Sequence, residues 1–182
     1  VTRLGASERS AGKKFADAIS DASGKINWFA SHPLIDEYAR LTVEDAAQMS
    51  TDDVDLVFAA VESDAAKVLE PRFAEKVPVI STASAFRYES DVPVFLPAVN
   101  LDHARMIDVQ KKRRGWKGFI TPGPNCTTTG MAITLKPIAE AFGIDRVIMT
   151  SMQSVSGAGR TPGVGALDII DNIIPYISKE EE

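Results

Sequence analysis

A single cysteine, Cys126, stands among 182 residues. It excludes an internal disulfide and a multi-cysteine zinc site, so no metal is expected, and it fits a reducing, cytoplasmic setting. Histidine is nearly as scarce, with only His32 and His103. No apolar run approaches the ~20 residues that cross a bilayer, so no membrane partner is expected. A basic excess is missing too. Lys+Arg number 20 against 25 Asp+Glu, for a net charge of −5. The resulting pI of about 5.1 excludes a global basic surface for nucleic acid. Internal repeats and low-complexity tracts are absent. The opening Val1-Thr2-Arg3 carries no initiator Met and no basic-then-apolar leader; a processed chain or a piece of a longer one is expected.

What is present suits one or two globular units: 45% of residues are hydrophobic and 25% charged. Short apolar runs alternate with helical patterns. Strands are predicted at Val1–Leu4, Val54–Val61, Val77–Thr82, Pro93–Val99, Gly118–Thr121 and Arg146–Val155. The second of these is nearly continuous in apolar residues and reads as buried on both faces. Helices are predicted from a Ser63 cap to about Glu75, over Leu101–Lys112 behind an Asn100 cap, over Thr127–Phe142 with a kink at Pro137, and over Val164–Ile174. Strand, helix, strand in succession predicts an α/β fold with a mainly parallel sheet. The turn-forming Pro122–Asn125 suggests a change of domain, giving units 1–125 and 126–182.

Four stretches carry chemistry. Thr121–Gly130 (TPGPNCTTTG) places Cys126 at a loop-to-helix junction. Helix N-termini present unpaired amides and a partial positive charge, an environment that favours a thiolate and holds an oxyanion. The alternative is a small buried apolar residue, a common fate of a free cysteine. Ser151–Arg160 (SMQSVSGAGR) sets two glycines around one alanine, leaving room for a flat ligand, and Gln153 offers an amide; an ordinary glycine turn reads equally well. Ser7–Lys14 (SERSAGKK) gathers hydroxyls with Arg9 as a phosphate cradle, or as an exposed charged turn. Ser81–Arg87 (STASAFR) ends in Arg87, an anion clamp or a surface cation.

Taken in order, GASERSAGKK (5–14), DVPVFLPAVN (91–100), GPNCTTTG (123–130), MQSVSGAG (152–159) and PGVGALDIIDNIIPYI (162–177) resemble the aspartate-β-semialdehyde dehydrogenase family in its archaeal and fungal branch. That resemblance implies a partial Rossmann-like NADP-binding domain over 1–125, followed by the start of an α+β catalytic and dimerisation domain over 126–182. It implies reductive dephosphorylation of L-aspartyl-4-phosphate by NADP chemistry through a thioester. By the same resemblance, Cys126 is the nucleophile and Gln153 and Arg87 hold the substrate. Ser7, Arg9 and Ser10 meet the adenosine 2′-phosphate, and Ser156 and Gly157 lie beside the nicotinamide. A homodimer or homotetramer is implied for the complete protein. Thr82 and Ala98 depart from the family's SNAS and PEVN patterns, which leaves Asn100 the role of a helix cap.

Family members carry a GxxGxxG turn before the segment that opens this chain and a catalytic histidine in a later region; neither motif is found here. His32 and His103 match no such context and read as surface or capping histidines. The expectation is therefore a fragment with little activity alone. Three alternatives stand beside this reading. A malonyl- or succinyl-CoA reductase of the same fold is similar around Trp116–Ile120 and Ser156–Gly159. An N-acetyl-glutamyl-phosphate reductase uses the same chemistry, but SERSAGKK and DNIIPYI argue against it. A non-catalytic α/β binding module would keep the fold alone.

Overall fold

The computed structural model describes residues 1–152 and 171–173. The chain divides into two compact units, one comprising Val1–Phe95 with Asp102–Gly123, the other Leu96–Leu101 with Pro124–Glu182.

The first unit holds five short strands: β1 (Leu4–Ala6), β2 (Val43–Asp45), β3 (Val57–Ala59), β4 (Val79–Ser81) and β5 (Ile120–Pro122). All strand pairs are parallel, as the alternation predicted, and they form two sheets. In one, Leu4 pairs with Val43. In the other the order is β3-β4-β5, with Val57 opposite Val79 and Val79 opposite Ile120. Among the described residues no strand pairs both β1 and β3, which is why the sheets stay separate. Single helical turns, α1 (Phe15–Ala18) and α2 (Asp36–Ala39), lie between β1 and β2. The 12-residue α3 (Ser63–Ala74) crosses from β3 to β4, absorbs Pro71 near its end, and buries Ala66, Glu70, Phe73 and Ala74.

The core sits where α3 meets the three-stranded sheet: Ala59, Phe73, Ala74, Val79, Phe86, Val92 and Ile120, with Val57, Leu69, Ala85 and Trp116 packed around it. Arg72 of α3 ties in the turn after β2 by donating to the carbonyls of Ala46, Ala47 and Met49. Arg3 braces the start of β1 through both carboxylate oxygens of Glu44 and through Asp53. Asp91, 3% exposed, receives a bidentate pair from Arg114, with both N–O distances 2.6 Å. The Arg114 guanidinium also lies 5.1 Å from the Trp116 ring. Gly118 permits the closest backbone approach: it donates to Ala74 O at 3.0 Å, and a Cβ built there falls 2.0 Å from Val77 O.

Beyond β5's free edge the last helix of this unit, α5 (Met106–Arg114), buries Gln110 completely. Its side-chain amide accepts from Ile120 N–H at 2.7 Å and donates to Ile120 O at 3.0 Å. One glutamine thus serves both backbone groups that a further strand would have served.

In the second unit, α4 (Pro97–Asn100) is a single turn begun by proline, and α6 (Cys126–Phe142) runs 17 residues through Pro137. Several sequence expectations fail. Pro93–Val99 is not a strand, because Pro97 opens a helix and its ring leaves no N–H for a ladder. Asn100 does not cap the following helix: it ends α4, and its Oδ1 accepts from Leu96 N–H at 2.9 Å. Leu101–Arg105 is a 3-10 turn, and α5 starts only at Met106. Ser63 is the first residue of α3, and its hydroxyl lies 2.8 Å from that of Ser84. β3 is not buried on both faces, since Phe58 is 78% exposed. The opening strand sits at Leu4–Ala6 rather than Val1–Leu4. Residues 146–152 form no strand among the described residues. The rest of that segment and the Val164–Ile174 helix lie outside the described residues, apart from 171–173, which are not helical.

Candidate active site

In the first unit the chemistry-bearing loops leave the carboxyl ends of the parallel strands, the usual place for ligands in such sheets. The loop after β4 holds Arg87. Its Nε donates to Gly123 O at 3.0 Å and one terminal nitrogen donates to Thr82 O at 3.3 Å. Gly123 N–H in turn donates to Ser81 O at 2.8 Å. The guanidinium is half-buried and anchored to the ends of both β4 and β5.

Behind this loop lies a buried polar relay that joins Ser81 to Glu70, a residue outside the four sequence stretches. Ser81, 2% exposed, donates from Oγ to Glu70 Oε1 at 2.5 Å and accepts from Ala83 N–H at 3.0 Å. Glu70 is 1% exposed, and its other oxygen, Oε2, has no hydrogen-bond partner among the described residues. Burial raises its pKa above the ordinary carboxylate value, and the Ser81 hydroxyl offsets part of that rise. The available sequence signal was a glutamate on the core-facing side of α3, a position where carboxylates are rare.

A cleft of about 360 Å³ opens where β1 and β2 end and α3 begins. Ala6, Ser7, Asp45, Ala46, Val61 and Ala65 are among its walls. The volume falls in the ordinary range of small-molecule sites, roughly 300–1,000 Å³. Ser7 opens the turn that follows β1, where Ser10 N–H donates to Ser7 O at 2.9 Å. Arg9 lies exposed on this turn and forms no ion pair among the described residues. Ser7, Arg9 and Ser10 are therefore brought together on one turn, with Ser7 in the wall of the cleft. An exposed cation and hydroxyls on a turn beside a cleft fit a phosphate-bearing cofactor.

In the second unit, Cys126 is the first residue of α6 and its thiol is exposed. The sequence placed the helix one residue later, at Thr127. Asn125 caps α6, its Oδ1 accepting from Thr127 N–H at 2.8 Å, while its carbonyl accepts from Thr129 N–H at 2.8 Å and Thr129 Oγ1 at 2.9 Å. The capping residue is thus the neighbour of the cysteine, and the sulfur stands at the amide-rich end of a long helix. A separate open cleft of about 350 Å³ lies between α6 and Val147–Met149; its walls include Thr127, Gly130 and Met131 but not Cys126.

Gln153, Ser156 and Gly157 lie outside the described residues. His32 and His103 are both exposed, and His32 takes part through its carbonyl, which accepts from Trp28 Nε1 at 2.7 Å. Among the described residues no cluster of three His, Cys, Asp or Glu stands ready for a metal, and no helix is long and apolar enough to cross a membrane.

Comparison with known proteins adds an independent line. Residues 1–107 match the family described as "Semialdehyde dehydrogenase, NAD binding domain", and residues 135–182 match its dimerisation domain. An aspartate-semialdehyde dehydrogenase of Methanothermobacter thermautotrophicus is 43% identical over 100% of this chain and 50% of its own length. A malonyl CoA reductase (NADP) of Metallosphaera sedula is 41% identical over 82% of the chain and 42% of its own length. Among solved structures, an aspartate semialdehyde dehydrogenase with NADP from Candida albicans aligns with a TM-score of 0.73 and 33% identity, over 98% of this chain and 49% of that one. The chain spans about half the length of the curated relatives it matches. With the parallel α/β architecture and both domain matches in hand, the chain belongs to the semialdehyde dehydrogenase family.

Proposed function

We propose that the protein takes part in NADP-dependent reductive dephosphorylation of L-aspartyl-4-phosphate to aspartate semialdehyde, a step of amino-acid biosynthesis. The observation that carries this reading is the exposed thiol of Cys126 at the capped start of α6 in a chain of this family. Cys126 attacks the acyl carbon as a thiolate, the C–O bond to phosphate breaks, and a thioester forms with release of inorganic phosphate. The α6 amides hold the oxyanion of that step. Arg87 meets the anionic end of the substrate, and Gln153 orients the thioester. Ser7, Arg9 and Ser10 hold the 2′-phosphate end of NADP, with Ser156 and Gly157 beside its nicotinamide. When bound in its reduced form, NADPH, that cofactor would supply the hydride for the thioester carbon, the C–S bond breaking to release aldehyde and return the Cys126 thiolate. Residues 1–125 form the cofactor-binding domain, and 126–182 begin the catalytic and dimerisation domain. We place the protein in the cytoplasm, as a homo-oligomer.

The test is acyl capture read by mass spectrometry. Incubation with aspartyl phosphate is expected to leave an aspartyl adduct on Cys126 that Cys126→Ser lacks. Malonyl-CoA serves as the competing donor, because the reductase of Metallosphaera sedula is 41% identical. A malonyl adduct without an aspartyl one selects that second reading. Adducts from neither, with alkylation by iodoacetamide no faster than a model thiol, refute both.

A further inference from the structure

The buried relay behind Arg87 has no part in the chemistry proposed above. Glu70 projects from α3 into the core and accepts from Ser81 Oγ at 2.5 Å. Ser81 ends β4, and two of its oxygens make three hydrogen bonds. Oγ donates to Glu70 and also accepts from Ala83 N–H at 3.0 Å, which shapes the first residues of the arginine loop. Its carbonyl accepts from Gly123 N–H at 2.8 Å, and Gly123 O is the acceptor for Arg87 Nε. Thr82 O, the second acceptor for Arg87, lies between the two anchored residues.

An ordinary core position opposite a serine calls for an apolar side chain. A carboxyl buried to 1% exposure with one oxygen unpartnered among the described residues costs stability. The compensation visible in the structure is geometric. A serine hydroxyl that must both donate to a fixed acceptor and accept from a backbone amide has one orientation left. That orientation fixes Ala83 and the preceding Thr82 carbonyl relative to the strand end, while Ser81 O at the same strand end holds Gly123, whose carbonyl accepts from Arg87 Nε. We propose that Glu70 is a positioning residue for Arg87, acting through Ser81. The inference rests on the reading of Arg87 as the ligand for the substrate's anionic group.

The experiment uses the 182-residue protein labelled with 15N at arginine and alanine. Hydrogen exchange is followed at Arg87 Nε–H and at Ala83 N–H. Glu70→Leu and Ser81→Ala break the relay; Glu70→Gln keeps an acceptor in place. Ser63→Ala cuts only the separate contact to Ser84. Exchange at Arg87 Nε–H is expected to quicken by about tenfold or more in Glu70→Leu and Ser81→Ala, and to stay within about twofold of the parent in Glu70→Gln and Ser63→Ala. A folded Glu70→Leu or Ser81→Ala that leaves Arg87 Nε–H within about twofold overturns the proposal, as does a Glu70→Gln that disrupts as much as leucine. Should Glu70→Leu fail to fold, Ser81→Ala decides alone, since it removes one oxygen and adds no bulk. Inorganic phosphate titrated into the parent and into Arg87→Ala tests the underlying reading separately. Equal affinities for the two refute the anion role of Arg87 and leave the exchange result to judge Glu70.

Discussion

Replacing Gln110 by leucine isolates the cost of an improvised strand edge. Both Gln110 and Ile120 are fully buried, and the glutamine amide supplies partners for Ile120 N–H and Ile120 O at 2.7 and 3.0 Å. A third bond, to Asp91 O, is longer at 3.3 Å. Leucine removes all three without opening a route for water. The two orphaned groups of Ile120 each cost ~1–3 kcal/mol, while the better burial of leucine returns about 1 kcal/mol. A net loss of ~1–5 kcal/mol is expected, against the roughly 5–15 kcal/mol that ordinarily hold such a domain. Urea unfolding followed by the fluorescence of Trp116, which packs on the core, reads the change directly. With a slope of ~2 kcal/mol per molar urea, the midpoint falls by about 0.5–2.5 M. A shift below ~0.3 M would mean that Ile120 finds other partners and that the edge is not sealed by this side chain.

Two further substitutions and one titration probe close packing, helix propensity and an ion pair. Gly118→Ala drives a Cβ to within 2.0 Å of Val77 O, so the backbone of 74–77 must move. Loss of more than ~3 kcal/mol, or failure to fold, is expected by thermal unfolding. Gly130→Ala in α6, where a Cβ meets nothing within 4 Å, instead stabilises by about 0.5–1 kcal/mol. For Asp91, the bidentate guanidinium of Arg114 holds the carboxyl below its ordinary value of 3.8. Stability from this pair is full above that ordinary value and drains away as pH falls through the lower folded-state value. Chemical denaturation of the parent and Asp91→Asn across pH 2–7 checks the sign: the gap between them is expected to close in acid, and a constant gap rules the pair out as its source.

The class of fold was legible because parallel strands buried by crossover helices leave short apolar runs, and Val77–Thr82 and Gly118–Thr121 are such runs. Cys126 at a helix start was legible for a local reason: Asn125 is a strong cap and Thr127–Thr129 follow it without a break. Pro93–Val99 misled because composition counts apolar side chains and does not ask where backbone N–H groups go. Pro97 resolves that question in favour of a helix start. Phe58 misled for a related reason. A run of apolar residues predicts burial on both faces only where a sheet is covered on both, and coverage is a tertiary fact.

The relay at Ser81 was hidden because its members are 11 residues apart in the chain and belong to different elements. A glutamate in a helix and a serine at a strand end are each unremarked when read one at a time. Their meaning comes from the parallel register that puts Ser81 opposite both Ala59 and Pro122. Parallel pairing brings strand ends to a common rim, and side chains at the last residue of a central strand then face loops from both neighbours. Ser81 occupies that position in β4. A loop residue such as Arg87 can be replaced with little effect on the core, whereas the residue that aims it is locked into the core itself. For that reason the aim of Arg87 is expected to respond to changes at Glu70 even though the carboxyl and the guanidinium share no hydrogen bond.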